Sequence, residues 1–201
     1  MTTDTSKDAP MSRADLHKGS GFAVKSGKEQ WFIAECKPTR EKTIRTMLEK
    51  ANYQVYVASR VEEKVYQSRN RYKKETVVIP GKVFVRTDQT RLMHIMLEYP
   101  SIHRFMINRT AKGNPFAYVP TNEMQQLQYI LGYAENPVLL TTEQLKIGQK
   151  VEVMRGPLKG LKGWYYKEGR SSYVLIKVTM GKNHYVYTEV AQEDIQPCEQ
   201  P

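Results

Sequence analysis

The stretch Ile147-Gly-Gln-Lys-Val-Glu-Val-Met-Arg-Gly-Pro-Leu-Lys-Gly-Leu-Lys-Gly163 marks a change in the character of the chain. Within it Val151 and Val153 alternate with polar residues, as the inward positions of one strand do. Gly156 with Pro157 makes a turn, and Gly160 and Gly163 allow backbone conformations that let the chain re-enter the sheet. Downstream, Val174 to Val178 and Tyr185 to Tyr187 read as further short strands, with Gly169 and Gly181 between segments. The pattern predicts a small all-β barrel over residues 143–198, of about five strands.

Upstream the periodicity is different. Trp31-Phe-Ile-Ala-Glu-Cys36 is an apolar run of the kind a buried strand needs, and Pro38 ends it. With Thr39 as N-cap, Ile44, Met47, Leu48 and Ala51 recur at helical spacing and leave Arg40, Lys42, Arg45 and Lys50 off the apolar stripe. Extended sequence from Tyr53 to Tyr66, a basic turn-rich tip over 67–74 and the run Val77-Val-Ile-Pro-Gly-Lys-Val-Phe-Val85 read as a hairpin. Asp88 caps a second helix carrying Leu92, Ile95, Met96 and Tyr99, and short strands follow over 102–119. A third helix begins after Thr121, with Met124, Leu127, Ile130 and Leu131 inward and Gly132 as its stop.

The predicted fold class is therefore mixed α+β. A mostly antiparallel sheet with three helices spans 29–134, a linker containing Pro137 spans 135–142, and the barrel follows. Residues 1–28 carry Ser, Gly, Lys and Asp without periodicity and read as a flexible tail.

Composition narrows the function. The chain has 201 residues, a formal net charge of +10 and 40% hydrophobic residues, which supports a buried core and excludes a disordered or collagen-like chain. The charge excess is +7 over residues 29–134 against +2 before and +1 after, which points to a polyanion, nucleic acid first, as partner of the middle segment. Cys36 and Cys198 are too few for a disulfide framework and form no Cys-x-x-Cys pair, so a reducing, cytoplasmic setting is expected. No apolar run approaches the roughly 18 residues of a membrane span, and the polar start lacks a signal sequence. His17, His94, His103 and His184 have no metal-ligand spacing and no hydrolase or phosphate-loop motif occurs, so neither enzyme activity, metal nor cofactor is expected.

The 147–163 stretch resembles the KOW motif of NusG-type transcription factors, its motif positions here being Val151, Val153, Gly156, Pro157, Gly160 and Gly163. Trp31-Phe-Ile-Ala, Arg40-Glu-Lys42, Val77 to Val85 and Val119-Pro-Thr-Asn-Glu-Met124 resemble, in order and spacing, the landmarks of the NusG N-terminal (NGN) domain. The resemblance covers residues 29–197. Trp31-Phe-x-x-x-Cys-Lys37, the long basic hairpin and Phe105-Met-Ile-Asn-Arg109 are similar to the specialised RfaH and UpxY types, which serve particular operons such as those for surface polysaccharide.

That resemblance implies a monomer docking on the clamp helices of RNA polymerase through Phe32, Ile79, Pro80 and Phe84. It implies contact with the non-template DNA strand through Lys37 and Lys50, extended by Arg40 and Arg45, with a second basic patch of Arg69, Arg71, Lys73 and Lys74 on the hairpin. The barrel would meet ribosomal protein S-ten or Rho through a loop at Met180 and Gly181, where the housekeeping factor has a Phe in place of Met180. The function implied is transcription antitermination for a specific operon. The alternatives are a housekeeping factor coupling polymerase to Rho or the ribosome, and a general RNA-binding KOW protein.

Overall fold

The structure is a computed structural model that describes residues 27–65, 71–108, 116–142 and 148–198. All but the last two residues of the expected tail over 1–28 lie outside them. In chain order the first part comprises β1 (Gln30–Cys36), α1 (Glu41–Lys50), β2 (Gln54–Tyr56), β3 (Ser59–Val65), β4 (Arg71–Val77), β5 (Lys82–Thr87), α2 (Leu92–Glu98), β6 (Ile102–Phe105), β7 (Tyr118–Val119) and α3 (Thr121–Tyr133). The second part comprises β8 (Val138–Thr141), β9 (Lys150–Val153), β10 (Lys162–Glu168), β11 (Ser171–Met180), β12 (Lys182–Glu189) and β13 (Ile195–Pro197).

The apolar run at residues 31–34 makes β1 the centre of the first sheet, because only a strand covered on both faces can bury consecutive side chains. β5 pairs with it antiparallel on one side and with β2 beyond, while β6 and β7 share its other side. Alternation then splits the core in two. Phe32, Ala34, Val83 and Val85 lie in one cluster with Ile44 and Leu48 of α1 and Leu92 and Ile95 of α2. Trp31, Ile33 and Phe84 lie in the other, with Met124, Leu127 and Ile130 of α3.

Several local expectations change. Thr39 is not a cap: it sits at φ 79°, in the left-handed region, and Arg40 occupies the N-cap position with no side-chain bond. The start of α1 is held instead by Glu41, buried to 1% exposure, whose carboxylate accepts the Gly81 N–H at 2.6 Å. The 77–85 run is not one strand. It turns at Val78–Gly81, with Gly81 at φ 71°, so β3 and β4 form their own two-stranded hairpin and β5 belongs to the main sheet. Gly132 does not stop α3, which runs on to Tyr133. The expected linker over 135–142 contains a strand: Val138–Thr141 pairs antiparallel with β12.

The second part is a six-stranded antiparallel sheet in the order β13-β9-β10-β11-β12-β8. The even-numbered residues of β11, Val174, Ile176, Val178 and Met180, are buried together with Val151, Val153 and Val186. Gly156 and Gly160 have positive φ, 77° and 87°, as their turns require. Gly163 serves differently: a Cβ there would lie 2.3 Å from the carbonyl oxygen of Leu175 on the neighbouring strand, so glycine is needed for close approach rather than for φ.

Candidate functional site

The cations of α1 fall into three situations. Lys37 and Arg40 are exposed at the start of the helix, linked by Arg40 N–H donating to the Lys37 carbonyl at 3.1 Å. Lys50 is exposed at its last residue, roughly 15 Å further along by the rise of a ten-residue helix, so the three do not make one compact patch. Arg45, expected to extend that patch, is engaged elsewhere. Its guanidinium donates to the Glu75 carboxylate at 3.0 and 3.4 Å, and Lys42 donates to the Glu75 carbonyl at 2.7 Å with its ammonium 3.1 Å from the carboxylate. Arg45 is therefore a strut from helix to hairpin, corrected from its expected role as a free cation.

Ser59 Oγ also donates to Glu75, at 2.5 Å. The Arg45 hydrogen bond, then that of Ser59, hold the Glu75 carboxyl down to about 2, against burial. With the folded value depressed, the strut is at full strength above the ordinary carboxylate value of 4.5 and is lost as pH falls from there towards 2. We expect the amide resonances of Ser59 and Glu75 to shift together over that window, those of β1 to stay put, and Arg45→Met to reproduce the loosened hairpin at neutral pH.

On the hairpin, Arg71, Lys73 and Lys74 are exposed, but Lys73 and Lys74 stand opposite Glu63 and Glu62 in the ladder. Cross-strand opposite charges dilute the basic patch that the one-dimensional sequence suggests. Arg69 lies outside the described residues. Between hairpin and helix start is a cleft of about 410 Å³ lined by Pro38, Val77, Pro80, Lys42 and Lys74, with Glu75 at its side.

Of the residues expected to form a polymerase-docking surface, only Pro80 is exposed. Phe32 is fully buried on the α1/α2 side of the sheet, and Ile79 and Phe84 are buried in the cluster that includes α3. Strand alternation separates Phe32 from Phe84, and Ile79, in the turn before β5, is buried with Phe84, so the four residues do not form a common face in this conformation.

The second sheet is docked on α3. Glu123 accepts from Thr179 N–H at 2.6 Å and from Thr179 Oγ1 at 3.1 Å. Gln126 donates to the Lys162 carbonyl at 3.2 Å, and the Tyr129 hydroxyl donates to that of Lys159 at 2.8 Å, in the turn of the 147–163 stretch. Arg60 donates to the carbonyls of Asn136 and Ala134 at 2.5 and 3.1 Å, and Asn136 Nδ2 donates to the Glu189 carbonyl at 2.9 Å. The expected partner loop is covered as a result. Met180 is 1% exposed, and a Cβ on Gly181 would lie 3.4 Å from the Ile107 carbonyl oxygen and 3.9 Å from Ala117 Cβ. That loop is not open here because the first part of the chain occupies its surroundings.

No local signal marks Glu75, Glu123 or Tyr129, whose partners lie 16 to 56 residues away. Burial pushes the Cys36 thiol up to about 11, with Glu41 adding to the rise, so it stays protonated at neutral pH and supplies no nucleophile. Among the described residues no group of three or more His, Cys, Asp or Glu could hold a metal ion, and no helix is long and apolar enough to cross a membrane.

Comparison with known proteins adds the family. Residues 29–128, about half of the chain, match the NusG family, described as transcription termination factor nusG, and this segment is a NusG-family domain. A solved structure of Thermotoga maritima NusG, described as showing a domain interaction, matches with 17% identity over 86% of this chain and 98% of its own, at a TM-score of 0.42. No curated protein matches the chain.

Proposed function

We propose that the protein is a transcription elongation factor of the antitermination type, whose 29–128 domain binds RNA polymerase at its clamp helices and whose exposed Lys37, Arg40 and Lys50 meet the displaced non-template DNA strand. The observation that carries this reading is the NusG-family match to a segment whose first helix holds exposed cations at both ends. A strand crossing the length of α1 would meet Lys37 and Arg40 near one end and Lys50 at the other, and phosphate contacts of that kind orient a strand without reading its sequence.

Polymerase docking would use the cleft at Pro38 and Pro80 together with the apolar side of the sheet containing Ile79 and Phe84. The α3-to-second-sheet interface belongs to the same buried cluster as those two residues, so release of the second sheet would accompany docking. Binding energy that bridges two parts of the polymerase favours its closed, elongating form over paused forms, and about 1.4 kcal/mol of differential affinity shifts that balance tenfold. Rho or ribosomal protein S-ten would meet the freed Met180–Gly181 loop. A housekeeping role is the second reading.

The test is an elongation assay with purified bacterial polymerase on templates with and without the leader of the neighbouring operon. Readthrough that rises only on the leader template supports the operon-specific factor, and an equal fall in pausing on every template supports the housekeeping one. Lys37→Gln, Arg40→Gln and Lys50→Gln together are expected to remove most of the effect, and Arg45→Gln to add little beyond loosening the hairpin.

A further inference from the structure

The hairpin of β3 and β4 forms a two-stranded sheet of its own, with no third strand beside it among the described residues. Side chains therefore hold it in place. By alternation Glu75 stands on one face with Ser59 and Val77, and Arg60 stands on the other with Thr76 and Glu62. The Glu75 face is strutted to α1 through Arg45 and Lys42. The Arg60 face meets the carbonyls that follow α3.

Arg60 reaches three successive carbonyls. Its Nη1 donates to that of Asn136 at 2.5 Å, and its Nη2 donates to those of Ala134 at 3.1 Å and Glu135 at 3.4 Å. A helix leaves its last carbonyls unpaired and carries partial negative charge at that end, so a planar guanidinium with several donors suits the position. The same segment is gripped from the second sheet. Thr188 Oγ1 of β12 donates to the Asn136 carbonyl at 3.3 Å and to that of Pro137 at 3.1 Å, and Asn136 Nδ2 donates to the Glu189 carbonyl at 2.9 Å. The Asn136 oxygen thus accepts from both parts of the chain, and Thr188 is 1% exposed where it donates.

As a charge, Arg60 is incompletely paired. Its side chain is 12% exposed, its Nε is buried with no hydrogen bond, and the Glu62 carboxylate stands 3.8 Å from that nitrogen. A buried ion of this kind adds little stability over a well-packed apolar side chain, because it gives up its hydration. What it supplies is a fixed geometry between hairpin and linker.

We propose that Arg60 is a positioning residue through which the hairpin controls the hold on the second sheet. While Glu75 keeps the hairpin against α1, Arg60 keeps residues 134–136 where Thr188 reaches them and β8 runs on along β12. A partner that draws the hairpin from α1 pulls Arg60 off these carbonyls, and β8 loosens with them. Coupling of this kind is reciprocal, so release of β8 also frees the hairpin. The proposal deepens the reading in which the second sheet is released on polymerase docking, by naming what restrains it. Its test uses the free chain, so either can fail alone.

The experiment follows amide exchange of the full chain at neutral pH in the unaltered protein, in Arg45→Met, in Arg60→Met and in the double variant. Arg60→Met is expected to speed exchange in β8 by about tenfold, the scale of losing hydrogen bonds from a charged donor. Arg45→Met, whose lost bonds go to Glu75 on the far face of the hairpin, is expected to speed the same amides several-fold. In the Arg60→Met background it should add nothing, because the path is already cut. Protection of β1 and β11 should hold throughout. Unchanged β8 protection in Arg45→Met, or the same acceleration with and without Arg60, would overturn the proposal. So would equal acceleration in β1 and β11, the mark of residues that only support the fold.

Discussion

Truncating Phe84 to alanine is expected to cost about 3–5 kcal/mol, the range for removing a buried phenylalanine side chain. Phe84 has no exposed surface. It sits on β5 opposite Ile33 of β1 and Tyr56 of β2, with the Tyr56 ring 6.3 Å away, and shares a cluster with Met124 and Leu127 of α3. Removing the ring leaves a void bounded by a sheet on one side and a helix on the other, neither of which can collapse without breaking pairs elsewhere. A thermal melt should show the midpoint falling by roughly 6–20 °C, taking roughly 2–4 °C per kcal/mol for a chain of this size. The consequence for function is direct. An aspartate at Phe84, Ile79 or Phe32 would unfold the domain, so loss of polymerase binding in such variants would carry no information about docking.

Gly163→Ala should damage the second sheet far more than Gly156→Ala, although each adds a single methyl group. The new Cβ at residue 163 would stand 2.3 Å from the Leu175 carbonyl oxygen and 2.9 Å from Val174 Cγ1. Neither the backbone oxygen nor the β-branched side chain can swing away, so β10 and β11 must part where Trp164 pairs with Leu175. At Gly156 nothing lies within 4 Å of the Cβ position, and only the left-handed φ of 77° is strained, at a cost of about 1–2 kcal/mol. Amide exchange should therefore show β10 and β11 opening in Gly163→Ala but protected in Gly156→Ala, with β1 and β5 little changed in both.

Most of the architecture was legible because it rests on period and punctuation. The unbroken run at residues 31–34 could only be a strand covered on both sides, and the apolar spacing on α2 and α3 has one helical solution. Boundaries failed where a long-range bond replaced a local one. Thr39 has the chemistry of a cap, but Glu41 reaching Gly81 already fixes the helix start, and the backbone at Thr39 is committed to the turn. Val138–Thr141 has linker-like neighbours on both sides, and only the edge of β12, more than forty residues on, makes it a strand.

The candidate site was less legible for the same physical reason. A basic residue announces its charge, not its partner: Arg45 and Lys50 look alike in sequence, yet Glu75 captures one and leaves the other in solvent. Apolar strand residues do not announce which side of a sheet they serve in docking, and Phe32 and Phe84 are core. Arg60 likewise gives no local sign of its three carbonyl acceptors, which lie 74 to 76 residues away.

Whether the chain binds RNA polymerase through its first domain, and opens in doing so, is decided by titrating fluorescently labelled full chain with bacterial core polymerase. A variant carrying Glu123→Ala and Tyr129→Phe is titrated alongside, since those changes remove contacts between α3 and the second sheet without touching the Pro38 and Pro80 cleft. Saturable one-to-one binding is expected of both proteins, several-fold tighter for the variant. Failure of both folded proteins to bind would contradict polymerase docking, and equal affinity would contradict the opening.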